Sequence, residues 1–284
     1  VFGVKNPNVK KIMSKVRSFP GMPATAGKLL PMLKDPDTDN AKIEDVLRYD
    51  PGLTANLLKL TNSAYFGIPT KVSSVRQAIM LLGWKRLIQL VMTMCMSDLM
   101  KDSVAGYDLP KGELWRHSIA VSVASDVLVK SLEISEADEV FTAALLHDIG
   151  KLVLGDYVKE DMPKIDAMVK KGISFEVAEY IVLSTDHAEI GASILENWSF
   201  PIPLVEAVHW HHDPNSCSGH CLMSDIVHIA DILGQMAGYG KKREGCEPAP
   251  ISEVLERLGL SQDTMVYLAE QTSERVKAIN EVLG

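Results

Sequence analysis

Imidazoles and carboxylates recur along this chain where apolar helices would otherwise run: His117, the doublet His147-Asp148, His187, the pair His211-His212, and Asp231. The doublet stands in the run Ala143-Ala-Leu-Leu-His-Asp-Ile-Gly-Lys151, where an apolar face presents a base beside an acid. Burying both costs several kcal/mol unless they are paired or coordinate a metal. Imidazole nitrogen with carboxylate oxygen suits iron, manganese, zinc or nickel and needs no thiolate. One carboxylate can bridge two ions ~3.5–4 Å apart, and such a pair activates water and clamps a phosphoester. Neighbours on a helix diverge by roughly 100°, so Asp148 can point between two ions while His147 serves one. Taken singly, each of the eight histidines reads as a surface or satisfied core residue. Their order is what points to a metal centre.

Other candidates are weaker. Asp225 competes with Asp231 for the last carboxylate position, and on one helix the two diverge by roughly 120°. Cys217, His220 and Cys221 could seed a zinc site, but a fourth ligand is not evident and ordinary loop thiols are the simpler reading. His209 and His228 read as core edge. Met92, Met94 and Met96 read as packing residues, since methionine fills irregular gaps. No nucleotide-binding glycine motif occurs.

The elements that must position these residues are helical throughout. Asp50-Pro51 reads as an N-cap and first-turn proline opening Leu53–Leu60. Ser74 caps Val75–Leu82, and Gly83 interrupts before Lys85–Met100, a helix apolar on most faces and therefore buried. The stretch Lys101–Gly112 is polar and turn-rich. Glu113–Ser131 is a long helix carrying His117. Ser135-x-x-Asp138 resembles a capping box and starts a helix that carries His147 and Asp148. Asp186-x-x-Glu189 starts another, with His187 in its first turn. Pro203 begins a short helix ending at His211-His212, stopped by Asp213-Pro214. Leu222–Met236 carries Asp225, His228 and Asp231, and two amphipathic helices near Ser252–Leu258 and Asp263–Val282 finish the chain. Alternating strand patterns and hairpin turns are missing. The expected fold is all-α, with an N-terminal helical lobe over residues 1–105 and a metal-binding helical lobe over 106–284.

Composition narrows the class. With 284 residues, 46% hydrophobic and 23% charged, the chain has ample material for a core, which excludes a disordered or fibrous protein. The longest apolar candidate, Leu87–Met96, carries Gln89 and Thr93 and is too short to span a membrane. A net charge of −8 argues against general nucleic-acid binding. Residues 1–34 nevertheless hold Lys5, Lys10, Lys11, Lys15, Arg17, Lys28 and Lys34 and no acid, which reads as a solvated basic face or a surface for an acidic partner. Four cysteines make no disulfide framework and no secretory signal is visible, so a cytoplasmic, reducing location is expected. The first residue is Val rather than Met.

The chain resembles the HD superfamily of metal-dependent phosphohydrolases, whose pattern is His…His-Asp…Asp, and more closely the HDOD family of bacterial signalling output domains. The resemblance spans roughly Phe19 to Asp231. It rests on Phe19-Pro-Gly-Met-Pro23, Asp50-Pro-Gly-Leu-Thr54, Leu60-Thr-Asn-Ser-Ala-Tyr-Phe-Gly67, Val75-Arg-Gln-Ala-Ile79 and Leu81-Leu-Gly83 in the first half. In the second half it rests on Trp115-Arg-His-Ser118, Leu146-His-Asp-Ile-Gly-Lys151, Asp186-His-Ala-Glu-Ile-Gly191 and His211-His212. It implies that His117, His147, Asp148 and Asp231 hold one metal, and Asp148, His187 and His211 a second, iron first among the candidates. His212 is either an extra ligand or a supporting group. HDOD proteins commonly have a degraded metal site; this chain keeps ligand-type residues at every matching place. By resemblance to the HD-GYP phosphodiesterases, Lys151 sits over a substrate phosphate with Asp148 as its catalytic neighbour, and Glu113, four residues before His117, is a further candidate carboxylate. The Gly-Tyr-Pro signature of those enzymes is absent after His212. Two functions stay open: a regulatory output module acting through a signalling protein partner, and a phosphohydrolase acting on a nucleotide or other phosphoester.

Overall fold

The computed structural model describes residues 8–34, 38–48, 50–134, 139–218, 222–240 and 251–283. These form α-helices joined by turns and three short 3-10 helices, with one isolated bridge between Val104 and Leu109 and no strand among the described residues. The fold is all-α, as the capping pattern implies. No single described helix is long and apolar enough to cross a membrane. The chain divides into two compact units, one of Val1–Pro20 with Met100–Thr272, the other of Gly21–Leu99 with Ser273–Gly284. Sequence pattern alone groups the first twenty residues with the N-terminal lobe; in the structure they belong to the unit that carries His117 to Asp231.

In the Gly21–Leu99 unit, two helix starts are side-chain caps. Asp50 accepts from the Leu53 amide at 3.0 Å, with Pro51 in the first turn of Pro51–Thr61. Ser74 accepts from the Gln77 amide at 3.2 Å, and the Gln77 carboxamide returns to the Ser73 amide at 3.0 Å. Asn62 closes the loop to Val72: its side-chain Nδ2 donates to the Val72 carbonyl and its Oδ1 accepts from the Val72 amide, each at 2.8 Å. The Arg86 guanidinium lies 5.9 Å from the ring centres of Tyr65 and Phe66 and donates to the Tyr65 hydroxyl at 2.8 Å. Leu87 to Thr93 are all buried, polar Gln89 and Thr93 included, as a helix apolar on most faces requires.

In the other unit, Glu113–Ser131 packs against Val140–Leu146 and Leu222–Met236, and His187–Asn197 against Ile202–Trp210. Two backbone crossings fix the arrangement. A Cβ on Gly106 would stand 1.9 Å from the Gly155 carbonyl oxygen, and one on Gly150 would stand 2.0 Å from that of His187. Only glycine permits either approach.

The doublet departs from expectation. Its helix ends at Leu146, and His147–Gly150 form a turn before Lys151–Val169 begins. The Ile149 amide bonds to the Leu146 carbonyl and the Lys151 amide to the Asp148 carbonyl, each at 3.0 Å. These three-residue bonds tighten the backbone, so successive side chains diverge by roughly 120°. The turn brings Gly150 against the start of the His187 helix. The capping residues Ser135 and Asp138 lie outside the described residues.

Asp225, 2% exposed, is held by a two-pronged bond from Arg257 at 2.6 and 2.9 Å. Its carboxylate is thus committed to the Ser252–Leu258 helix, which leaves Asp231 as the acid facing the histidines. Replacing Arg257 by Met strands a buried charge and is expected to lower unfolding free energy by about 3 kcal/mol in a urea titration. Asp225→Leu in the same chain should restore most of that loss, because an apolar pair leaves no charge unpaired.

Candidate metal centre

His147 and His211 occupy equivalent places, each the C-cap of a short helix. Each ring donates Nδ1–H back to the carbonyl three residues earlier, Ala144 and Val208 respectively, at 2.7 Å. Those carbonyls lie at helix ends, where backbone acceptors lack helical donors. Once Nδ1 carries the proton, Nε2 carries a lone pair. His117 is set the same way, with Nδ1 3.2 Å from the Tyr239 carbonyl, and His187 with Nδ1 2.7 Å from Glu179 Oε2. In their neutral form all four imidazoles therefore present Nε2 lone pairs, on the side that the two carboxylates occupy.

Asp148 divides its two oxygens. Oδ2 lies 3.5 Å from Nε2 of both His117 and His147, while Oδ1 lies 3.4 Å from Nε2 of His187. Asp231 Oδ1 stands 3.2 Å from His117 Nε2 and 3.9 Å from His147 Nε2, and Gln235 steadies it from 3.1 Å. The donor atoms of His117, His147 and Asp148 lie within 4.8 Å of one another, as do those of His187, His211 and His212. The half-buried His212 turns Nε2 to within 2.8 Å of His187 Nε2.

These residues fit a metal. His147 Nε2, His211 Nε2 and Asp148 Oδ1 are buried without a hydrogen-bond partner, an arrangement costly in a folded protein unless something else satisfies it. Two donors about 2.1 Å from one ion stand roughly 3.0–3.4 Å apart, close to the separations around Asp148. Electrostatics divide the imidazoles: against burial, Asp231 raises His117 and Glu179 raises His187, while burial lowers His147. Burial, with neighbouring imidazoles, holds His211 and His212 well below the usual histidine range, so both are neutral. Burial pushes Asp148 upward, but Lys151 and the surrounding histidines outweigh it and hold the carboxyl well below its ordinary value. Asp231 is kept low against burial by His117.

The sequence-derived candidates are thus assembled in one unit: His117, His147, Asp148 and Asp231 on one side, His187, His211 and His212 on the other side of Asp148. Lys151 donates to Asp148 Oδ2 at 2.5 Å, and its ammonium lies 5.8 Å from the Tyr107 ring centre. Glu113 is not among the cluster; it pairs with Arg116 at 2.7 Å. Cys217 is disulfide-bonded, contrary to its reading as an ordinary thiol, and His220 and Cys221 lie outside the described residues. Two further buried residues support the cluster. His228, read as core edge, donates Nδ1–H to the His211 carbonyl at 2.8 Å and accepts from the Ile251 amide at 3.2 Å. Glu179, fully buried, holds His187. The signal for Glu179 was a carboxylate on the inward stripe of Phe175–Leu183, four residues before buried Leu183.

A family model described as the HDOD domain matches residues 19–214. The crystal structure of an HDOD domain protein of unknown function from Geobacter sulfurreducens superposes with a TM-score of 0.76 at 24% identity, covering 96% of this chain and 99% of that one. An uncharacterized protein of Treponema pallidum is 24% identical over 71% of this chain and 39% of its own length. A Vibrio cholerae protein named 3'3'-cGAMP-specific phosphodiesterase 3 is 30% identical over 43% of this chain and 26% of its own length. The chain thus spans well under half of these two curated relatives.

Because Gly150 meets the His187 carbonyl, Gly150→Ala must displace either the doublet turn or the His187 helix. It is expected to cost about 3 kcal/mol of stability and to lower metal uptake, read together by thermal melting and by metal analysis of the purified variant.

Proposed function

The chain belongs to the HDOD domain family, and from that membership we propose that it is a regulatory module of bacterial signal transduction built around a two-metal centre. The observation that carries the metal centre is the shared orientation of four imidazoles: each has Nδ1 at an acceptor, so each offers Nε2 to Asp148 or to a neighbouring donor. His117, His147, Asp148 and Asp231 hold the first ion. Asp148, His187 and His211 hold the second, with His212 beside them. A nitrogen and oxygen donor set of this kind takes iron, manganese, nickel or zinc. The regulatory role is supported by the second compact unit, Gly21–Leu99 with Ser273–Gly284, which contributes none of these donors.

A second reading, hydrolysis of a nucleotide or related phosphoester, is favoured by Lys151. Metal ions in such a site supply positive charge that polarises a phosphoester. Lys151 holds its partly exposed ammonium against Asp148, one of the residues that would hold such ions. There it would hold a phosphoryl oxygen and balance charge that grows during displacement. Tyr107, under the same ammonium, limits where that lysine can move.

One set of samples separates the two readings. Metal content, melting temperature and activity on cyclic dinucleotides, mononucleotides and an aryl phosphodiester are measured for the protein and for three variants. Asp148→Ala is expected to lose both ions, and His187→Ala mainly one; equal stoichiometry in these two would contradict the shared role of Asp148. Lys151→Ala is expected to keep its metal. If the centre is hydrolytic, this variant should lose about 10²–10³-fold in turnover. If the centre is regulatory, the metal-loaded protein is inert on every substrate while metal removal lowers the melting temperature. Absence of metal after gentle purification, with failed reconstitution, would overturn the metal centre itself.

A further inference from the structure

Glu179 has no exposure to solvent, and a buried carboxylate is costly unless its oxygens are occupied. One of its oxygens is given to His187 and the other to Tyr107. Oε2 accepts from the backbone amide of His187 at 2.8 Å and from the same residue's Nδ1 at 2.7 Å. Oε1 accepts from the hydroxyl of Tyr107, itself 2% exposed. The amide at His187 is free for this because it lies in the first turn of its helix, where amides have no helical acceptor. Asp186, the N-cap, is engaged with the Glu189 amide at 2.8 Å. The His187 ring is further walled by Tyr107 and Phe175, each with its ring centre 6.4 Å away. The other three imidazoles bond Nδ1 to main-chain carbonyls. His187 alone among these four depends on a side chain.

We propose that Glu179, anchored by Tyr107, is the positioning residue that fixes His187 with Nε2 toward the second metal position, so that occupancy of that position, and not of the first, depends on the Tyr107–Glu179 pair. Two bonds from one oxygen to the backbone and ring of one residue fix both where the helix starts and which nitrogen is protonated. A carboxylate behind a ligating imidazole also raises its basicity, and loss of such a partner typically costs about 10–100-fold in metal affinity. Tyr107 belongs to the Ala105–Tyr107 turn, which Gly106 presses against Gly155, so the anchor is held by backbone packing.

The inference rests on the two-metal reading, and the test keeps the two apart. Glu179→Gln, Glu179→Leu and Tyr107→Phe are compared with the unaltered chain, folding being checked by circular dichroism. Histidine-labelled protein is followed by nitrogen NMR, first metal-free to locate the His187 ring proton, then titrated with Zn²⁺ so that each histidine reports its own position. In the unaltered chain the His187 proton is expected on Nδ1. In Glu179→Leu that localisation is lost and the second position weakens by about 10–100-fold, while signals of His117 and His147 saturate as before. Glu179→Gln and Tyr107→Phe should give smaller losses in the same direction. If Glu179→Leu fails to fold, Glu179→Gln decides by the same two readouts. Equal weakening at both positions, or an unmoved His187 proton with unchanged Zn²⁺ affinity, overturns the proposal. If the unaltered chain takes up no Zn²⁺ while the His187 proton still moves in the variants, the two-metal reading fails and the positioning of His187 by Glu179 stands alone.

Discussion

A single buried carboxylate organises the unit. Asp148 is 1% exposed, so water cannot solvate it and the protein must supply its partners. It is surrounded by one ammonium and three imidazoles, and its two oxygens face different groups of them. His117 and His187 come from separate helices, whereas His147 and Lys151 flank the acid at its own turn. The divided orientation of the oxygens gives the cluster two faces about one acid.

Backbone proximity supplies the accuracy this needs. The doublet lies in a turn whose last residue, Gly150, touches the carbonyl of His187. Gly191, one helical turn further on, faces the His147 carbonyl from the opposite element. With no side chains between them, the turn bearing Asp148 and the helix bearing His187 are registered by main-chain contact, and repacking of flexible side chains cannot shift one against the other. The tightened turn spreads His147 from Asp148 more widely than a continuous helix would, and it eclipses Asp148 with Lys151 three residues on, which keeps the ammonium against the acid.

Much of this was legible in the residues themselves. Local rules operate over three or four positions, which is why Asp50, Ser74 and Asp186 mark their helices from sequence and why Glu113–Ser131 and Leu222–Met236 carry the bounds their patterns suggest. The order of histidines and aspartates identified the cluster because each interrupts an apolar run. What stayed hidden depends on partners distant in sequence. The Asp225 and Asp231 alternatives are resolved by Arg257, which lies in another helix. Glu179 is invisible as a site residue until Tyr107 and His187 are seen to share it. The end of the doublet helix at Leu146 is dictated by a crossing at Gly150 and not by any breaker in the preceding run. The grouping of the first twenty residues likewise follows from contacts such as Lys15 with Asp156 and Phe19 with Trp198.

The main-chain anchoring of His147 and His211 has a consequence for how such a chain tolerates mutational drift. Their acceptors are the carbonyls of Ala144 and Val208, and every amino acid brings the same carbonyl. Substitutions at those two positions alter packing but cannot delete the group that orients the ring. Erosion of the centre by random replacement is therefore uneven: ring orientation is shielded wherever the backbone provides it and exposed wherever a side chain does. A lineage released from selection on this cluster would lose it first through its side-chain anchors, such as Glu179, with the two helix-end histidines still aimed inward.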